Sequence, residues 1–315
     1  MKRLLTLVLL GCALLARPAL LQAQKFIFTP QWTAQAQFAG YYVAQDMGFY
    51  KDAGLDVEIV HPSATESAMN RINDNKSHAI TLMLPQAMEI IDSGVRLVNI
   101  LQTSMNSGLV IVSRRNEDPL KQKGIRVGVW SAGFDQLPIT MSLKENLDFQ
   151  WVRFASGINL MLSGAIDATV AMSYNEYYQL MQAGVELTDT NVYRFCDHGY
   201  NVQEDGVYVT LDFYKKNKEA ALKFAEASRR GWEWAAEHPD ETLDIVMKYV
   251  REGRVETNRI LQELMLEEIL RLQVDRESGK REFRLRPDMV QQMNQLMVDN
   301  QLLLNGVTYE DLIAQ

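Results

Sequence analysis

The sequence predicts an α/β protein of two lobes, each a largely parallel sheet flanked by helices. Two chain crossings join the lobes, and a helical C-terminal tail docks on the first. Three observations predict this. From residue 25 onward, short β-branched or apolar runs alternate with helical patterns. The polar stretch NEDPLKQKG (116–124), punctuated by Pro119 and Gly124, interrupts that alternation before it restarts. Beyond residue 213, apolar residues recur only at three- and four-residue spacing.

In lobe one, strands are expected at 25–29, 56–60, 78–83, 97–103 and 109–114, with helices at 38–47, 65–74 and 85–93 between them. In lobe two, IRVGVW, VRFA and ATVAMS read as strands, with helices at 135–146, 158–163 and 174–183. A further strand, GVYVTLDF (206–213), precedes helices at 215–237, 241–249, 257–272, 287–300 and 309–314. A tail without strands must pack on sheets already formed, so the chain should build lobe one from 24–115, lobe two from 116–206, and return to lobe one with 207–315. There is no internal repeat and no low-complexity segment.

The N-terminus is read separately. Met1-Lys2-Arg3 is a short basic start, residues 4–16 are mostly apolar, and Leu21-Gln22-Ala23 places a small residue before Gln24, the pattern of a secretory signal peptide over 1–23. The apolar run is shorter than an ordinary membrane span. A rival reading takes Leu9-Leu10-Gly11-Cys12 as a lipoprotein box with Cys12 lipidated. Either way, the mature chain is expected outside the cytoplasm.

Cleavage after Ala23 removes Lys2, Arg3 and Arg17 and no acid, so the formal charge moves from −8 to −11. An acidic surface of that size argues against nucleic acid as a partner. The mature chain keeps one cysteine, Cys196, and about 290 residues bury a sufficient core without disulfides.

In open α/β sheets, ligands sit beyond the carboxyl ends of strands, where helix N-termini present free N–H groups. The junctions after the expected strands are therefore the informative residues: HPSATES, LPQAME, WSAGFD, ASGIN and SYNEYY. They supply Ser63, Gln86, Trp130, Asn175 and Glu176, and the first loop and helix add Trp32, Gln37 and one of the adjacent Tyr41 and Tyr42. On a helix those two tyrosines diverge by about 100°, and we assign Tyr41 to the cleft. Trp130 is either core or cleft wall. Glu176 lies three residues after Ser173, so it is either a structural cap or a ligand carboxylate, and Ser63 with Glu66 also has capping-box spacing. The junctions hold no Lys or Arg, whereas a sulfonate or phosphate site usually adds a cation. A neutral or mildly basic flat ligand suits them better.

Catalytic patterns are poor. The four histidines, His61, His78, His198 and His238, are scattered without metal-ligand spacing, and no phosphate-binding or nucleophile-elbow motif occurs. Neither a metal nor a cofactor is expected. In FCDHGYN (195–201), Cys196 and His198 are too close in sequence to act as nucleophile and base, and a hinge or buried thiol is expected instead.

The stretches QFAGYYVAQDMGFYKDAGLDVEIV, GIRVGVWSAGFD, GAIDATVAMSYNEYYQLMQAG and DHGYNVQEDGVYVT resemble the NMT1/THI5-like substrate-binding proteins over about residues 25–250. That resemblance implies a two-crossover periplasmic-binding-protein fold that closes on ligand. It also implies a monomeric partner of an ABC permease in the membrane, and an aminopyrimidine ligand of the thiamine precursor type held by Trp32, Tyr41, Asn175 and Glu176. Sulfonate binders are remoter relatives, and delivery to a membrane receptor for sensing is an alternative role. A cytoplasmic branch makes the pyrimidine from pyridoxal phosphate, using a Lys-x-x-x-His pair and a Cys-rich cluster. The corresponding stretch here is MLPQA (83–87), so the chain departs from the synthase pattern.

Overall fold

Strands form where β-branched and aromatic residues alternate between short turns, and they assemble into two five-stranded sheets. The computed structural model describes residues 23–63, 65–131 and 134–313. The expected signal peptide, apart from Ala23, and Cys12 lie outside the described residues.

The first sheet runs β2 (Leu55–Ile59), β1 (Gln24–Thr29), β3 (Ala79–Leu82), β10 (Gly206–Thr210) and β4 (Leu97–Gln102). The second runs β7 (Phe149–Phe154), β6 (Ile125–Trp130), β8 (Ala168–Met172), β5 (Leu109–Ser113) and β9 (Val192–Arg194). β1 pairs parallel with β2 and β3, and β6 pairs parallel with β7 and β8. β10 is antiparallel to both neighbours, and so is β5. These two are the first strands laid down after each crossing, so each crossing delivers one reversed strand into an otherwise parallel sheet.

Several boundaries differ from the sequence expectation. LVIVS, expected to close lobe one within 24–115, is β5 of the second sheet, so the first crossing is 103–108. The polar stretch after it is a connection inside lobe two, built on a short 3-10 turn at Pro119–Lys121 with Asp118 capping Leu120 N–H. The expected strand 206–213 stops at Thr210, whose Oγ1 accepts from Phe213 N at 3.2 Å and starts a helix at Leu211. The helix expected from 65 begins at Ala68 with Ser67 as its cap, and Ser63 instead pairs backbone to backbone with Glu66.

The tail helices Leu211–Glu237 and Pro239–Glu252 enclose the first helix, Ala39–Asp46. Contact is close enough that a Cβ built on Gly231 would lie 2.0 Å from the Gly40 carbonyl oxygen, and one on Gly40 would lie 2.2 Å from the Trp232 ring. Only hydrogen fits at this crossing. Phe28, Tyr41, Tyr50, Phe224 and Trp232 pack around it with no exposed ring. The tail does not stop at lobe one. Glu268, on the helix Arg259–Leu272, accepts from Ser173 Oγ of lobe two at 2.6 Å, and Leu272 O accepts from the N–H groups of Met105 and Asn106 in the first crossing. One apolar cluster runs through both lobes. Among the described residues, no helix is long and apolar enough to cross a membrane.

Candidate functional site

Strand ends of both sheets converge on a cavity between the lobes, with about 380 Å³ of empty space, mouth included. From lobe one come Gln31, Trp32, Gln35, Gln37 and Met83. From lobe two come Trp130, Phe134, Met172, Tyr174, Asn175 and Glu176.

The loop after β1 is held from three sides. Gln31 N donates to Thr81 Oγ1 at 2.8 Å and Ala36 N to Gln262 Oε1 at 2.7 Å, while the Gln31 and Gln37 side-chain amides both donate to Asp205 Oδ1, at 2.6 and 2.8 Å. His61 fixes the backbone of Trp32: its Nδ1 donates to Trp32 O at 2.6 Å and its Nε2 accepts from Tyr42 OH at 2.9 Å. Burial lowers the His61 pKa, in keeping with a neutral ring that donates at one nitrogen and accepts at the other. The Trp32 ring meets Phe134 of the other lobe edge to face at 5.9 Å, and Phe134 meets Trp130 at 6.4 Å. Three rings from two lobes thus make an aromatic wall.

The lobe-two side carries the cavity's carboxylate. Glu176 opens the helix Glu176–Gln182 and is 5% exposed. Its Oε2 accepts from Met172 N at 3.0 Å and its Oε1 from Asn175 Nδ2 at 3.2 Å. Burial raises its pKa, an effect opposed by the Met172 N–H and the Asn175 amide. Among the described lining residues there is no Lys, Arg or His. Among the described residues, no three His, Cys, Asp or Glu side chains are grouped to hold a metal ion.

Beneath the cavity, the second crossing buries two successive carboxyl groups. Glu204 accepts from Ser107 Oγ at 2.6 Å and from Gly108 N at 3.0 Å, and burial pushes its pKa up to about 8. Asp205 sits in the left-handed region at φ 54°, and burial pushes its pKa up to about 7.

Of the residues the sequence singled out, Trp32, Gln37, Trp130, Asn175 and Glu176 come together in this cavity. Three do not. Tyr41 is 1% exposed and lies in the lobe-one core between Phe28 and Trp232, because two tail helices enclose the first helix and bury every residue of it from Ala39 to Ala44. Tyr42 is equally buried and stacks on Tyr249 at 4.1 Å. Ser63 is exposed in the bridge to Glu66, and Gln86 turns its Oε1 back to cap Met83 N at 3.1 Å. The Ser173–Glu176 capping box does not form either: Ser173 turns to Glu268 instead. Sequence reasoning missed Gln31, Gln35, Met83, Phe134, Met172 and Tyr174, all within a few residues of junctions it had marked. It also passed over Asp205, which lies 174 residues from Gln31 in the chain. Cys196 is partly buried beside Arg276, and burial lifts its pKa to about 11, which leaves a thiol of low reactivity.

Comparisons with known proteins agree with this architecture. The formylaminopyrimidine-binding protein of Halalkalibacterium halodurans is 25% identical over 229 residues, 69% of this chain and 68% of that protein. The ligand-binding component of an ABC-type import system from Staphylococcus aureus superposes with a TM-score of 0.68 at 10% identity, covering 92% of this chain and 96% of that one. The periplasmic aliphatic sulphonate binding protein of Escherichia coli does so with a TM-score of 0.65 at 12% identity, covering 93% and 92%. The two superpositions show a shared periplasmic-binding-protein fold. The family described as NMT1/THI5 like matches residues 35–242, about two thirds of the chain, and to that family this protein belongs.

Proposed function

We propose that this protein is an exported substrate-binding protein, not an enzyme, that captures an aminopyrimidine of the thiamine-precursor type between its lobes. It then delivers the ligand, as a monomer, to an ABC permease. The observation that carries this reading is the lining: four aromatic rings, amides and one buried carboxylate, Glu176, with no cation among the described lining residues. A flat heterocycle fills such a wall, and its amino edge suits a carboxylate whose ionised form burial has left poorly solvated. The binding protein for formylaminopyrimidine among its relatives supports the same ligand class.

A sulfonate reading draws on the fold shared with the sulphonate-binding protein. It conflicts with the lining, because a permanent anion beside Glu176 would meet a like charge and no counter-ion. Calorimetric titration of residues 24–315 decides between them. The aminopyrimidines, in their hydroxymethyl and formylamino forms, should give saturable heat, and an alkanesulfonate should give none. Sulfonate uptake without pyrimidine uptake refutes the assignment. A sensing role in place of transport would leave this result unchanged, and would show as ligand-dependent association with a receptor instead of stimulated transport by a reconstituted permease.

A further inference from the structure

We infer that Asp205 is a positioning residue. It holds the amides of Gln31 and Gln37 by their nitrogens and leaves Gln31 Oε1, a buried atom of a cavity-lining residue, without a partner, so that the site selects ligands whose donors can reach both Gln31 and Glu176. The inference rests on the proposed function for its ligand and deepens it to a rule of selection.

Above the pH of about 7 to which burial lifts its pKa, Asp205 is ionised, and its oxygens accept and cannot donate. Any amide that contacts Asp205 Oδ1 must therefore offer its NH2, which decides which end of each glutamine faces where. Gln31 Nε2 donates at 2.6 Å and Gln37 Nε2 at 2.8 Å to that one oxygen. The Gln37 oxygen is in turn taken by Gln35 Nε2 at 2.6 Å, so both ends of Gln37 are engaged. Gln31 is not completed in this way: its side chain is nine-tenths buried, it lines the cavity, and Oε1 has no hydrogen-bond partner. A buried acceptor left without a partner costs about 1–3 kcal/mol. A donor on the ligand removes that cost, and an acceptor in the same place adds to it.

Asp205 itself is locked. Its carbonyl accepts from Thr103 Oγ1 at 2.7 Å, and it occupies a left-handed backbone position that Asp and Asn tolerate better than most residues. The carboxylate is therefore held at a fixed point between the crossing and the ligand loop. On the facing lobe, Glu176 is the second acceptor, already held by Met172 N and Asn175 Nδ2. A ligand with donors on two edges bridges the lobes, while one that presents oxygens to both walls is turned away from both.

The test uses residues 24–315 with two probes, 4-amino-5-hydroxymethyl-2-methylpyrimidine and its 4-oxo analogue, in which the amino donor is replaced by an acceptor. Wild type should favour the amine by at least about 30-fold, and Asp205→Gly should shrink that preference at least about tenfold. Glycine suits the positive φ, so the backbone is relieved and only the anchor is lost. Asp205→Asn keeps an oxygen for the two amides and should retain the preference within about threefold. A role confined to stability would move the melting temperature and leave the amine-to-oxo ratio alone. An unchanged ratio in Asp205→Gly, or wild-type preference for the oxo compound, overturns the inference. If wild type takes up neither pyrimidine, the proposed function fails by itself. The orientation is then read in the unliganded protein: Gln31 and Gln37 side-chain amide protons should exchange slowly in wild type and Asp205→Asn but quickly in Asp205→Gly. Equal exchange in all three overturns it.

Discussion

Replacing Glu176 by glutamine separates a ligand carboxylate from a structural cap, because the two roles predict opposite patterns in two measurements. The carboxylate is 5% exposed and makes two internal hydrogen bonds, one from Met172 N and one from the Asn175 amide. Glutamine keeps an oxygen for Met172 N and nearly the same volume, and Asn175 matches the new partner by turning its amide together with that of Gln179, which donates to Asn175 Oδ1 at 2.8 Å. What disappears is the charge. A hydrogen bond to a charged group contributes about 1.5–3 kcal/mol, so Glu176→Gln should weaken aminopyrimidine binding by roughly 10- to 150-fold. Stability should respond differently. Burial disfavours the ionised form of this group, so removing the charge relieves that penalty, while the helix start loses the benefit of an anion, about 0.3–1 kcal/mol. The terms oppose, and unfolding free energy should stay within about 1 kcal/mol of wild type. Calorimetric titration and urea denaturation of the same two preparations supply both readings. Affinity within threefold of wild type together with a fall in stability above about 1 kcal/mol would refute the ligand role and leave Glu176 as a structural anchor for Met172 N–H and the Asn175 amide.

Three further outcomes are expected. Tyr41→Phe should leave ligand affinity within about twofold of wild type, since the ring is in the core and its buried hydroxyl lacks a hydrogen-bond partner; a tenfold loss by titration would return Tyr41 to the cleft. Gly231→Ala should destabilise by at least about 2 kcal/mol in urea denaturation, although alanine is the better helix former by about 1 kcal/mol, because its methyl would meet the Gly40 carbonyl. Stability should decline between about pH 5 and pH 8. Glu204 and Asp205 keep their protons to about 8 and about 7 in the folded chain, while the unfolded chain releases them near 4. The folded state thus binds more protons over that window, each group contributing a slope of up to about 1.4 kcal/mol per pH unit, and Glu204→Gln should flatten the decline. Stability that rises from pH 6 to pH 8 in urea melts would contradict the burial of these carboxyls.

The alternation of strands and helices was legible because each element carries its own periodicity. The sheet to which a strand belongs is not a local property: LVIVS is as apolar as any lobe-one strand, and only its pairing with β8 and β9 assigns it to the second sheet. β9 has three residues, too few for a periodic signal. The site was legible to the extent that the carboxyl-end rule marks junctions, which brought Trp32, Trp130, Asn175 and Glu176 into view. The rule marks places and not side-chain directions, so Ser63 and Gln86 sat at the right kind of place and turned elsewhere. Tyr41 failed for a different reason. A lone amphipathic helix would keep one face free, but Gly40 and Gly231, 191 positions apart in the chain, let one tail helix approach until Tyr41 was covered, and the next tail helix stacks Tyr249 on Tyr42.

The second crossing ties ligand recognition to lobe movement through adjacent residues. Glu204 holds Ser107 and Gly108, at the entrance to β5 of lobe two, and Asp205 holds Gln31 and Gln37 of the lobe-one ligand loop. Their carbonyls are also held where the first crossing begins, that of Asp205 by Thr103 in the crossing and that of Glu204 by the amide of Gln102 at the end of β4. A ligand that engages only the lobe-one amides has equal affinity for open and closed arrangements and shifts neither. One that also reaches Glu176 and the Trp130–Phe134 wall binds the closed arrangement better and draws the population toward it by that difference in affinity. On the proposed function, closure would be set by how well a ligand spans the two walls and not by how tightly it holds either one, which is the discrimination a permease needs if it is to respond to loaded protein alone.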